Sequence, residues 1–309
     1  MFLIISYSED PHALLVQEEL ARRGAVCRVL DPRNLGCGAT LSARLGTEDS
    51  LLWQVAPDEG IRLDDAECIW VRRTTISDEM VGGVAREHAL FVRREWQEQL
   101  FGSLSGLSVP LVDDPIRQVL CPKPLQLKRA TEVGLRVPET LVTNDEHELR
   151  AFAGGAGVEL IHKTLGANDI LLFTRVLSDE DMSKLDTLAP APVIFQHRVM
   201  GAREVRAVVL ADRVLAAAFA PEPSMVDGRR DLDVPYEPLS LPTDVEEKLC
   251  TLVSRLGLSM AVLDIRLDPD DQPVFLELNP QGQFLYLEIL TGMPLVEAVA
   301  DHLQRYARR

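Results

Sequence analysis

Two apolar stretches near the end of the chain constrain its fold more than any other feature. "MAVLDIRL" (260–267) and "VFLELN" (274–279) read as strands, and "DPDDQ" between them can turn the chain into a hairpin. Side chains alternate along a strand, so Glu277 and Asn279 project to one side, and Leu276 and Leu278 to the other. Asp264 shares the side of Glu277 only if the hairpin sets it opposite an odd-numbered residue such as Phe275 or Glu277. A slip of one residue defeats that arrangement. One face is then apolar core, and the other offers only oxygen ligands, hard donors of the kind magnesium accepts beside waters and substrate phosphates. Two unit charges about 4 Å apart interact by about 4 kcal/mol at an effective dielectric near 20. Bare carboxylates would therefore repel a triphosphate unless divalent cations lay between. The plain alternative is that Glu277 and Asn279 line a solvated sheet face.

With 309 residues, 46% of them hydrophobic, the chain can bury one large core or two to three smaller ones. Its formal charge of −16 argues against nucleic acid, because phosphate-backbone binding rests on clustered Lys and Arg. The opening "MFLIISYSED" has no basic segment and too few apolar residues for a signal peptide or a membrane span, so it reads as a first strand. Cys27, Cys37, Cys68, Cys121 and Cys250 are odd in number and lack CxxC spacing. They suit neither a disulfide framework nor a zinc site, and point to reduced thiols in a cytoplasmic protein.

A strand, an amphipathic helix over 11–23 and a second strand open the chain as a βαβ-like unit, with Gly24 marking the helix end. The mixed segment 36–59 is read only as irregular or short-strand structure. "ECIWVRRT" follows as a strand, then a long helix through "REHALFVRREWQEQLFGSL" and a short strand at "VPLVDD". Residues 1–114 thus form an α/β domain. Beyond it, antiparallel strand pairs interleave with helices, which predicts two α+β lobes, at 115–190 and 191–309.

No G-x-G-x-x-G follows the first strand and no G-x-x-x-x-G-K-[ST] occurs, so dinucleotide-binding and P-loop folds are excluded. "GSLSG" (102–106) has Leu104 where a nucleophile elbow needs serine. Phosphate partners are nonetheless present. Lys163 ends the apolar strand "VELIHK", and Lys123 starts a helix in "CPKPLQL". "FQHRV" (195–199) can serve as an extended hinge whose backbone groups meet an adenine, and Arg206 on "REVRAVVL" can reach a phosphoryl group. Taken singly, each has an ordinary salt-bridge alternative.

Their order resembles the ATP-grasp superfamily, in which two α+β lobes clamp ATP and magnesium. That resemblance runs from about Cys121 onward. "IWVRR", "KPLQLKRATEVGLRVPETLVTND" and "FLELNPQGQFLYLEILTGMPL" look like the microviridin-type peptide ligases, the graspetide synthetases, and carry the likeness into the first domain. The fold implied is an α/β pre-ATP-grasp domain followed by the two α+β lobes. By this resemblance Lys123 and Lys163 hold ATP phosphates, while Gln196, His197 and Val199 form the adenine hinge. Glu204 takes the ribose, and Arg206 and Arg230 steady the γ-phosphate or acyl phosphate. Asp264, Glu277 and Asn279 bind two Mg²⁺ ions. His197 stands where relatives commonly have an acid, "RRDLD" replaces an Asp-Trp-Arg run, and the phosphate-covering "TLGANDI" is short.

The implied chemistry is ligation through an acyl phosphate, joining Asp or Glu side chains of a ribosomally made precursor peptide to its Ser, Thr or Lys side chains. Such transfer needs positioning and charge neutralisation more than an enzyme nucleophile. Arg72 and Arg73 are the residues implied for the substrate carboxylate; read as neighbours on a strand they point oppositely, so only one can face it. A homodimer is expected from the resemblance alone. A small-molecule or glutamate-adding carboxylate–amine ligase shares the ATP half of the site, and a nucleotide-binding interaction protein without turnover is the reading of another class.

Overall fold

The structure, a computed structural model, describes residues 1–47, 49–76, 83–154, 158–166, 174–201, 203–221 and 234–308. The chain divides into two compact units, and neither is one continuous segment: Met1–Leu120 joins Gly257–Met260 and Pro280–Arg309, while Cys121–Leu256 joins Ala261–Asn279.

The first unit opens as expected. Strand β1 (Phe2–Ile5), helix α1 (Pro11–Arg22) and strand β2 (Cys27–Leu30) follow in turn. Asp10 caps α1 by accepting from the His12 amide, Pro11 occupies its first turn, and Gly24 takes a φ of 80° just beyond its end. The mixed segment is a small antiparallel meander of β3 (Thr40–Arg44), β4 (Ser50–Ala56) and β5 (Glu59–Arg62). Its signal was the alternation in "SLLWQVA", where Leu51 and Trp53 are buried between more exposed neighbours. Then come β6 (Cys68–Val71), α2 (Ala89–Ser105), β7 (Leu111–Val112) and α3 (Pro115–Val119). The parallel sheet has the order β2-β1-β6-β7. Both β1 and β6 are buried along their whole length, which is why they read as unbroken apolar runs. Leu3, Ile5, Ile69 and Val71 share one core with Trp53, Ile61, Leu100 and Leu104.

The second unit begins at α4 (Lys123–Glu132) and contains two sheets. In the first, β8 (Thr140–Thr143), α5 (Glu146–Ala153), β9 (Leu160–Lys163), β10 (Arg175–Val176), α6 (Asp179–Ser183) and β11 (Val193–His197) give an antiparallel sheet of order β10-β9-β11-β8 over a core of Leu149, Leu160, Leu185, Leu188 and Phe195. Strand β11 lies beyond residue 190 yet pairs inside this sheet, with β8 and β9. The second sheet consists of β12 (Arg203–Leu210), β13 (Arg213–Phe219), β14 (Tyr236–Leu239), β15 (Met260–Leu267) and β16 (Pro273–Asn279), in the order β14-β13-β12-β15-β16, with α7 (Thr243–Arg255) packed on β12 and β13. The chain then returns to the first unit as α8 (Leu285–Thr291) and α9 (Leu295–Tyr306); α9 packs against α1 and β6. Among the described residues no helix is long and apolar enough to cross a membrane.

Candidate functional site

The hairpin register settles the question raised by the sequence: β15 and β16 are antiparallel, with Asp264 opposite Glu277 and Val262 opposite Asn279. The two carboxylates face one another, and Asn279 follows two residues along the same strand. Beyond Asp264 the register shifts, so that Ile265 meets Phe275 and Leu276 is the extra residue of a bulge. Strict alternation therefore fails at one place. Leu276 and Glu277 both line the pocket, whereas alternation had put Leu276 on the opposite face.

Like charges facing across a strand pair destabilise it, and each acid here has a cation. Arg206 on β12 donates from Nη1 to Asp264, and Lys123 Nζ lies 3.4 Å from Glu277 Oε2. Lys123 also donates to the Thr164 carbonyl at 3.1 Å. It is delivered by α4, whose Gln126 side chain exchanges both hydrogen bonds with the backbone of Leu278, donating to its carbonyl at 2.9 Å and accepting from its amide at 2.8 Å. Gln126 is buried and so covers the outer edge of β16, much as a further strand would.

A pocket of about 590 Å³, including space open to solvent, is lined by Lys163, Gln196, His197, Val199, Glu204, Asp264 and Glu277. Pro138, Ile161 and Leu276 add apolar lining and Arg266 a cation; none of these four was placed in the site from sequence. Within the hinge, the His197 amide donates to the Glu139 carbonyl at 3.0 Å and the Arg198 amide to the Glu159 carbonyl at 2.8 Å. The Gln196 side chain is turned to the Thr140 hydroxyl at 2.8 Å, and His197 Nδ1 lies 3.2 Å from Glu139. Just past the hinge, Gly201 has a φ of 154° and a Cβ there would stand 1.8 Å from the Leu267 carbonyl oxygen, so only glycine fits. Arg230 lies outside the described residues, as do 167–170 of the "TLGANDI" loop.

Two facing carboxylates with an amide two residues on are all-oxygen donors and fit Mg²⁺ by chemistry. Among the described residues no three or more His, Cys, Asp or Glu side chains gather as a metal cluster, so an ion held here would draw further ligands from Asn279, water and substrate oxygens.

Arg72 and Arg73 belong to the first unit. They follow the end of β6, and both amides donate to the same carbonyl, that of Ile5, at 2.9 and 3.0 Å. Strand alternation does not apply there, and both guanidinium groups turn toward one loop: Arg73 Nη1 donates to the Gln281 carbonyl at 3.0 Å and Arg72 Nη1 approaches that of Gly282 at 3.5 Å. The Arg72 side chain is 0% exposed, and its Nε donates to Asp10 at 2.6 Å. Asp10 also accepts from Ser6 and lies 3.1 Å from His12 Nδ1, while His12 Nε2 accepts from the amides of Phe284 and Leu285, 3.2 Å each, at the start of α8. Two amides aimed at Nε2 require its lone pair, so the imidazole is neutral with its proton on Nδ1, toward Asp10. Burial pushes the His12 pKa down, and it pushes that of Arg72 down to about 10 with Arg73 close by. Burial would raise Asp10, yet the His12 hydrogen bond and the Arg72 charge hold it well below the usual carboxylate range.

No family model matches the chain, and no curated protein matches it in sequence. Solved structures do match. The macrocyclase MdnC of Microcystis aeruginosa MRC, bound with precursor peptide MdnA, is 23% identical with a TM-score of 0.89, the likeness covering 98% of this chain and 99% of that one. A RiPP-associated ATP-grasp ligase of Chryseobacterium gregarium, in complex with ADP and a leader and core peptide, is 24% identical with a TM-score of 0.88, covering 98% and 96%. The ATP-grasp ligase PsnB, complexed with minimal precursor, Mg and ADP, is 21% identical with a TM-score of 0.80, covering 100% and 98%. The chain thus has the fold of the ATP-grasp ligases. Each likeness runs over nearly the whole of this chain and of the other.

Proposed function

We propose that the chain is an ADP-forming ligase that joins a carboxylate to an amine or hydroxyl through an acyl phosphate, acting on a ribosomally made precursor peptide to form side-chain ester or amide crosslinks. The observation that carries this reading is the facing of Asp264 and Glu277, with Arg206 and Lys123 beside them, in one pocket with Lys163 and the hinge. The full-length likeness to ligases solved with precursor peptide, ADP and Mg favours the peptide over a smaller substrate.

In this reading the base lies against Ile161 and Leu276, Glu204 takes the ribose, and Lys123 and Lys163 hold the phosphates. A substrate carboxylate oxygen attacks the γ-phosphorus, the bond to ADP breaks, and Arg206, with Arg230, steadies the transferred group. The amine or hydroxyl then attacks the acyl carbon, phosphate leaves, and the proton of the nucleophile is lost. Positioning and charge supply the catalysis. Two magnesium ions at Asp264, Glu277 and Asn279 would neutralise the terminal phosphates. Of the arginine pair, Arg73 is the one accessible to a substrate carboxylate, since Arg72 is wholly buried. A homodimer belongs to the same reading, as does a reducing, cytoplasmic setting.

The test is ADP release, measured with a peptide carrying Thr or Ser and Asp or Glu, with free amino acids, and with neither. Release that needs the peptide, with loss of one water mass per crosslink, is the expected result. Release with amino acids alone would replace the peptide by a small substrate, and ATP binding without turnover under any condition would overturn the ligase reading.

A further inference from the structure

Arg266 has no part in the roles assigned above, yet it lines the pocket. Its side chain is 9% exposed, and Nη2 lies 3.3 Å from Glu204 Oε1. Its Nε is buried and has no hydrogen-bond partner among the described residues. A guanidinium nitrogen in that state is costly unless a ligand supplies an acceptor. Between the same two strands, Arg206 pairs with Asp264, so the two ion pairs run in opposite senses, the acid on β12 in one and on β15 in the other.

The acceptor that suits this position is narrowly defined. A phosphate oxygen beside Arg266 would also meet the Glu204 carboxylate and be repelled, while a base held by its faces against Ile161 and Leu276 keeps its lone pairs in the ring plane, directed at the hinge. A hydroxyl both donates and accepts. We infer that Arg266 and Glu204 act together as the sugar-reading pair of the pocket: Glu204 accepts a hydrogen from one ribose hydroxyl while Arg266 Nε–H donates to a ribose hydroxyl oxygen. The inference rests on the reading of this pocket as the nucleotide site, and adds to it that selection for a ribonucleotide resides in Arg266. Sites that hydrogen-bond a hydroxyl discriminate strongly against the analogue lacking it, because their own buried groups are left unpaired.

The experiment is calorimetric binding of ATP, 2′-deoxyATP and 3′-deoxyATP, without acceptor peptide, to the full chain and to the Arg266→Lys and Arg266→Met variants, each checked for folding by its melting transition. Wild type should bind at least one deoxy analogue about tenfold or more weakly than ATP. Arg266→Lys keeps a cation beside Glu204 but lacks Nε–H, and its discrimination should shrink to about threefold or less. Arg266→Met should behave alike; if it does not fold, the lysine variant alone decides. Equal binding of the three nucleotides by wild type, or full discrimination kept by the variants, overturns the inference while leaving the nucleotide site standing. A wild type that binds no ATP overturns both.

Discussion

Glu277 is 7% exposed, faces Asp264 and lies 3.4 Å from Lys123, so its carboxylate serves the site more than the core. Glu277→Ala should lower peptide-dependent ADP release by about a hundredfold or more while circular dichroism and melting stay near wild type; unchanged turnover would remove it from the site. His12 makes a different prediction, about pH. Its folded pKa lies below the ordinary 6.5, chiefly through burial. Between the two values the unfolded chain binds the extra proton, so the stability from this group is present above about pH 6.5 and is lost as pH falls through the folded pKa. Asp113 works in the opposite sense: burial raises it to about 6, so its contribution is full below 3.8 and lost as pH rises through 6. Chemical denaturation from about pH 7 to about pH 5 should therefore show wild type losing more stability than His12→Gln, the Asp113 contribution being common to both. Equal losses would contradict the neutral, doubly accepting imidazole. At this scale the sequence was informative where spacing alone places a group, as with Asp264 and Glu277. Leu276 escaped because a bulge breaks the alternation by which it was read, and Arg266 because its meaning depends on a partner 62 positions earlier in the chain, Glu204.

Helix α4 and strand β16 show how one side chain can fix two elements at once. Gln126 satisfies both backbone groups of Leu278 and donates also to the Cys121 carbonyl at 2.7 Å. Gln126→Leu keeps the size but leaves the Leu278 amide and carbonyl buried without partners, so it should cost about 2 kcal/mol or more, read from the urea midpoint. Because α4 also delivers Lys123 to Glu277, nucleotide affinity should fall further than stability at a temperature where the variant remains folded. A midpoint within experimental error of wild type would show that another group takes over the edge. Several elements were legible from period and caps, including α1, α2 and the start of α4. Strand β14 and helix α8 were not. Tyr236–Leu239 contains proline and a glutamate, and among the described residues joins its sheet through pairing with β13; Leu285–Thr291 is short and follows β16 after the brief segment Pro280–Phe284.

At the scale of the molecule, reading along the chain yields three consecutive segments, whereas contacts group the residues into two units that exchange the chain four times. The first crossing, after Leu120, lies close to the boundary read at residue 114, but the other three carry no such mark, because a unit completed by a distant segment leaves no local trace. The α9 residues Leu295, Val299, Ala300 and Leu303 are at most 1% exposed, and their packing is against the first unit. Residues 1–114 expressed alone should accordingly fail to give a dispersed amide spectrum or a cooperative melt, while a version with 280–309 joined by a flexible linker should regain both; a well-folded 1–114 would contradict the assignment. The same interleaving reaches into biosynthesis. Helix α9 is made only after the entire second unit, so at about 5–20 residues per second the unclad flank of α1 and β6 waits on the ribosome for roughly ten seconds or longer. During that delay the nascent polypeptide is open to aggregation, and soluble yield in a cell should be governed by translation speed and chaperone supply more than by the equilibrium stability of the finished protein.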